Sequence, residues 1–107
     1  MYNKTLGALE EFVLLLILVM DKEVYSVTLA EEYHSQAGKS ISLPAMHTVL
    51  RQLEKKGYVE SAVGGASSVR GGRSKRIYSL TTLGYQIIKE VHQERNRLWK
   101  LAPNFTG

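Results

Sequence analysis

Residues 43–80 read LPAMHTVLRQLEKKGYVESAVGGASSVRGGRSKRIYSL. The first part of this stretch places Leu43, Met46, Val49, Leu50 and Leu53 at the three-and-four spacing of one helix face. Pro44 suits a first helical turn, where a missing N–H leaves no bond unmade, and Gly57 supplies the stop, giving a helix from Leu43 to about Lys56. Tyr58–Val63 and Arg76–Leu80 follow as short alternating runs rich in β-branched and aromatic residues, which is strand composition. Between them, residues 64–75 hold four glycines, three serines and three basic residues, with only Ala66 and Val69 apolar. That segment reads as a flexible hairpin tip, and a helix running into such a hairpin predicts a wing.

Upstream, Leu6 to about Met20 reads as a first helix, with Thr5 as N-cap and Glu10 and Glu11 in its early turns. The run Phe12–Met20 has no polar face, so it must be covered on more than one side, and in a chain of 107 residues a second subunit is the expected cover. A membrane span would need about 20 apolar residues. The acids before this run and Asp21-Lys22-Glu23 after it also do not suit a signal peptide, so a cytoplasmic protein without a membrane segment is expected. Val27, Leu29, Ala30 and Tyr33 after Tyr25-Ser26 mark a second helix, stopped by Gly38, and Ser40-Ile41-Ser42 reads as a brief extended piece. Downstream, Thr81 or Thr82 caps a last helix reaching about Lys100, with the stripe Leu83, Ile87, Ile88, Val91, Leu98 and Leu101.

The expected fold is therefore mainly α with a small β-hairpin (α+β). It is a winged helix-turn-helix with an N-terminal helix and a C-terminal dimerisation helix at about 82–101, in one domain over residues 1–107. Subunit contacts are expected at Leu9, Phe12 and Leu16 of the first helix and at Ile87, Ile88, Val91, Leu98 and Trp99 of the last.

The net charge of +4 is unevenly placed. Residues 51–76 carry seven basic side chains against Glu54 and Glu60, whereas residues 1–50 carry three lysines against six acids. A concentrated basic stripe is the footprint of a polyanion partner, although a solvated basic loop would have the same composition. The chain has no cysteine, which excludes disulfides, thiolate metal sites and cysteine nucleophiles. His34, His47 and His92 fall on three different predicted helices with no metal-ligand spacing, so no metal and no cofactor are expected. The sequence has no Gly-x-Ser-x-Gly, phosphate-binding glycine loop or paired His/carboxylate motif, and an enzyme is not expected.

Three blocks in order resemble the PadR-type transcriptional regulators: Leu6-Gly-Ala-Leu-Glu-Glu11, Ala45-x-x-Thr-x-Leu-Arg-x-Leu-Glu-Lys-Lys-Gly57, and Arg70-Gly-Gly-Arg-Ser-Lys-Arg-Ile-Tyr-Ser-Leu-Thr-x-x-Gly84. The resemblance spans roughly Leu6 to Gly84, and the single C-terminal helix resembles the compact branch of the family. It implies a dimeric repressor whose third helix enters the major groove of double-stranded DNA while the wing meets the backbone and C-terminal helices pair the subunits. It also allows a small aromatic or cationic effector. The chain departs from the family pattern at His47, where tyrosine is usual, and at Ser26, where glycine is common.

On this reading Ser42, Ala45, His47, Thr48 and Arg51 present the exposed face of the third helix to DNA. Thr48 and His47 would meet base edges or phosphates, Ala45 would allow close approach, and Arg51 would reach a phosphate or a guanine edge. Tyr25 and Ser26 open the second helix, where N–H groups and a hydroxyl can meet phosphate. Arg70, Arg73, Lys75 and Arg76 supply the wing charge, with Gly71 letting the backbone come close. Trp99 is the residue on which a flat effector would stack; interface packing is its other reading. A winged-helix protein-interaction module that does not touch DNA is the competing function.

Overall fold

The computed structural model describes residues 6–20, 23–64 and 75–105. Four helices and one two-stranded antiparallel hairpin follow in the order α1 (Ala8–Val19), α2 (Ser26–Ala37), α3 (Leu43–Lys55), β1 (Val59–Gly64), β2 (Lys75–Leu80) and α4 (Thr82–Leu101). This is the expected α+β arrangement.

Each helix end has a local cause. The expected cap of α1, Thr5, lies outside the described residues; Gly7 occupies the cap position, and its amide donates to Glu10 Oε1 at 2.9 Å. At α2 the Tyr25 amide donates to Thr28 Oγ1 at 2.9 Å, and Gly38 closes the helix at φ +76°. That left-handed conformation is the one glycine adopts without a Cβ penalty. Ser42 Oγ accepts from the Ala45 amide at 3.2 Å to start α3, and Pro44 lies in its first turn. Thr81 caps α4: its hydroxyl accepts from the Gly84 amide at 2.9 Å and donates to the Gly57 carbonyl at 2.7 Å.

The strands pair from Val59 opposite Leu80 to Gly64 opposite Lys75. Before α3 the backbone is extended at Ser42 (φ −75°, ψ 155°), and Ile41 packs half-buried against the core. The extra sheet contact comes from Val24, whose carbonyl accepts from the Tyr78 amide at 2.9 Å. This bridge pins the entry to α2 against the root of the hairpin. Gly84 marks another close approach, since a Cβ there would lie 2.1 Å from the Tyr58 carbonyl oxygen.

One apolar core joins all of these elements, with Val13, Leu14, Leu29, Met46, Leu50 and Leu53 fully buried at its centre. Glu10 is buried beside it and is paired to Lys56 Nζ at 2.7 Å, which links the start of α1 to the end of α3.

The expected subunit contacts divide in two. Leu16, Ile87, Ile88 and Val91 are already buried within the single chain. Helices α2, α3 and α4 and strand β2 all pack against α1 and cover much of it. Leu9 and Phe12 are half-buried against the same core, Phe12 edge-on to Tyr33 with ring centroids 5.3 Å apart. Leu98 and Trp99 are exposed, as are Leu15, Leu18 and Val19 of α1. Leu83 and Leu101, expected in the buried stripe of α4, are exposed too, and Gly84 takes the place of Leu83 in the packed face.

Beyond Val91 every described residue of α4 is exposed, with Arg95 still paired to Glu11 of α1, so the end of the helix projects past that pair. The ten residues from Val91 to Leu101 rise about 15 Å at 1.5 Å each. The radius of gyration of 16.1 Å reflects this extension, against about 13 Å for a compact chain of this length.

Candidate nucleic-acid interface

The antiparallel hairpin lies against α3, and the Val24 bridge holds the start of α2 against the same strand. Side chains from three elements therefore converge. Tyr25 and Ser26 at the start of α2, His47 of α3, and Lys75, Arg76 and Tyr78 of β2 line one cavity of about 680 Å³.

His47 Nε2 lies 2.9 Å from Ser26 Oγ, which joins α3 to the first turn of α2. A serine hydroxyl can donate or accept, so this contact suits either imidazole tautomer. Lys75 Nζ sits 4.8 Å from the centroid of the Tyr25 ring, a cation–π contact. The Tyr25 hydroxyl donates to Glu23 Oε1 at 2.6 Å, and this bond to a carboxylate raises its pKa above the ordinary tyrosine value.

Arg76 is tied into a relay. Its Nη1 donates to Ser61 Oγ at 3.0 Å, and the Ser61 hydroxyl donates to Glu54 Oε2 at 2.8 Å. The relay runs from β2 across β1 to α3 and fixes the root of the hairpin on the α3 side. Tyr78 stands among these groups. Burial raises the pKa of its hydroxyl, the nearby Arg76 and Arg51 charges lower it, and Glu54 raises it. A cation of α3 and a cation of β2 therefore act on the same phenol.

Ser42, Ala45, His47, Thr48 and Arg51 all lie on the exposed side of α3, opposite buried Met46, Val49, Leu50 and Leu53. Ser42 acts as the helix cap, and the Thr48 hydroxyl donates to the Pro44 carbonyl at 3.0 Å. Tyr25, Ser26, Lys75 and Arg76 line the cavity beside His47. Arg70, Gly71 and Arg73 lie outside the described residues. Trp99 stands far along the extended half of α4 and is 79% exposed.

Sequence reasoning did not find Tyr78, Glu54 or Ser61. Tyr78 shares a strand face with Arg76 through period-two alternation, which offered a signal. Nothing in the spacing of Glu54 and Ser61 announced their bond.

No protein-family model matches the sequence, and no curated protein matches it either. Solved structures do resemble the fold. A PadR-like transcription factor from Bacteroides fragilis superposes with a TM-score of 0.74 at 17% identity, covering 89% of this chain and 86% of the other. The fold is that of the PadR-type regulators. A PadR-like transcriptional regulator from Bacillus cereus gives a TM-score of 0.70 at 21% identity, with 89% of this chain and 87% of that one covered. For a PadR family transcription regulator from Clostridium difficile the score is 0.69 at 21% identity, with 89% and 94% covered. The PadR-type architecture thus accounts for nearly the whole chain. Among the described residues, no helix is long and apolar enough to cross a membrane.

Proposed function

We propose that the protein is a sequence-specific regulator of transcription that binds double-stranded DNA as a homodimer and acts as a repressor. Helix α3 lies in the major groove and the basic wing follows the adjacent backbone. The observation that carries this reading is the shared cavity, in which His47 of α3 faces Lys75 and Arg76 of the wing root and the first turn of α2. A groove-sized helix, a helix N-terminus and a cationic hairpin on one side of a small domain can grip a single duplex at several phosphates at once. The solved structures of the same fold carry the names of transcription regulators, which agrees with this assignment.

The homodimer reading is supported by the exposed apolar residues. Leu15, Leu18 and Val19 of α1 and Leu98, Trp99 and Leu101 of α4 are apolar surface on two helices that an ion pair between Glu11 and Arg95 joins. A small aromatic effector would stack on Trp99 between two such chains.

The test is binding of labelled random-sequence duplex at rising salt. With about three or four phosphates neutralised per subunit, the log affinity of a dimer falls with log salt at a slope of about −5 to −7. Association that is absent at low salt would favour the protein-interaction module instead.

A further inference from the structure

We propose that Arg51 is the residue of α3 that reads a base, and that the base is a guanine at one fixed position of each half-site. This deepens the DNA-binding reading above and rests on it.

The outward row of α3, opposite its buried face, is Pro44, Thr48, Arg51 and Lys55, with His47 on the wing side. Most of the polar groups in the first turns of this helix are engaged within the protein. Ser42 Oγ holds the Ala45 amide, His47 Nε2 meets Ser26 Oγ, and the Thr48 hydroxyl donates its only proton to the Pro44 carbonyl. Thr48 in that state cannot donate to a phosphate or to a guanine edge, because both offer acceptors only.

Arg51 is different. It is exposed, and among the described residues it makes no hydrogen bond or ion pair. Glu54, three residues on, would be the natural partner on a helix surface. That carboxylate is engaged by the Ser61 hydroxyl at 2.8 Å, within the relay that ends at Arg76. The hairpin thus draws one oxygen of this carboxylate towards Ser61, and Glu54 forms no ion pair with Arg51. The guanidinium carries five donors in a planar fork, and that fork matches the N7 and O6 acceptors of guanine in the major groove. Lys55 is one further turn from the helix N-terminus, the end that reaches base edges in this class of motif, and its ammonium acts as a point charge without a fork.

The experiment selects bound duplexes from a random pool with the full chain and with its R51A and R51K variants. Affinities are then measured on the best duplex and on random duplex at low salt. The wild type is expected to select half-sites that share a guanine at one position. R51A loses the preference at that position alone, with affinity for the best duplex reduced about 5- to 150-fold and affinity for random duplex changed far less. R51K keeps random-duplex binding but not the guanine. The proposal is overturned if the wild-type half-sites share no guanine, or if R51A selects the same half-site with undiminished preference. DNA binding itself would survive either result; a wild type indifferent to every duplex would overturn both readings.

Discussion

His47 on α3 and Ser26 on α2 meet at 2.9 Å, and this contact ties the two helices of the helix-turn-helix together at their exposed ends. It spans 21 residues of sequence, and both side chains line the cavity shared with the wing root. Breaking it should loosen the angle at which α3 is presented to DNA more than it weakens the fold. Ser26→Ala is expected to lower duplex affinity about fivefold, the worth of one hydrogen bond of roughly 1 kcal/mol. His47→Ala should lose a similar amount, and the double variant little more than either alone. Additive losses in that cycle would show that the two side chains act separately.

Lys75 should contribute charge and not base preference. Its ammonium rests over the Tyr25 ring, which positions it at the cavity without neutralising it. Lys75→Ala is expected to weaken binding to all duplexes alike and to make the salt slope shallower by about one unit per subunit. Arg73→Ala should behave in the same way. A change in the selected sequence with either variant would contradict a backbone role.

Gly84 is required by packing. Because a Cβ at this position would fall 2.1 Å from the Tyr58 carbonyl oxygen, Gly84→Ala must push α4 away from the strand entry. The expected loss is about 2–3 kcal/mol. Urea unfolding should show it as a lower midpoint at unchanged slope. A variant as stable as wild type would mean that α4 can shift freely.

Trp99 and Val91 separate assembly from folding. Val91 is buried in the chain, whereas Trp99 is almost fully exposed. Trp99→Ala should leave the unfolding of the isolated subunit nearly unchanged while shifting sedimentation from dimer towards monomer. Val91→Ala should instead lower stability by about 1–2 kcal/mol through the lost methyl groups and the space they leave. Wild-type sedimentation as a monomer at micromolar concentration would remove the dimer from the functional reading.

Much of this molecule could be read before its structure. The three-and-four spacing through Met46, Val49, Leu50 and Leu53 located α3 and its buried face, and Gly38 and Gly57 marked helix ends because each adopts a left-handed conformation there. Periodicity names the apolar residues but not the neighbour that covers them. For that reason periodicity alone does not tell that the chain itself buries Leu16, Ile87, Ile88 and Val91. Charge counting placed Lys56 in the basic stripe, but the buried Glu10 claims it. The bridge at Val24 involves one residue, too short for any pattern. The direction of Arg76 depended on a serine in the opposite strand, a pairing that only the register reveals.

The overhang of α4 also acts as a ruler. In a pair of chains joined near Trp99, the distance between the two DNA-reading surfaces is set by how many helical residues separate Val91 from the joint. Each inserted residue would lengthen the arm by about 1.5 Å and swing the distal end through about 100°. Seven added residues would return the joint to nearly its original facing while moving it out about 10 Å. The half-site spacing preferred by the dimer should therefore change in steps of whole heptads, while intermediate insertions should give chains that still fold but no longer reach both half-sites together.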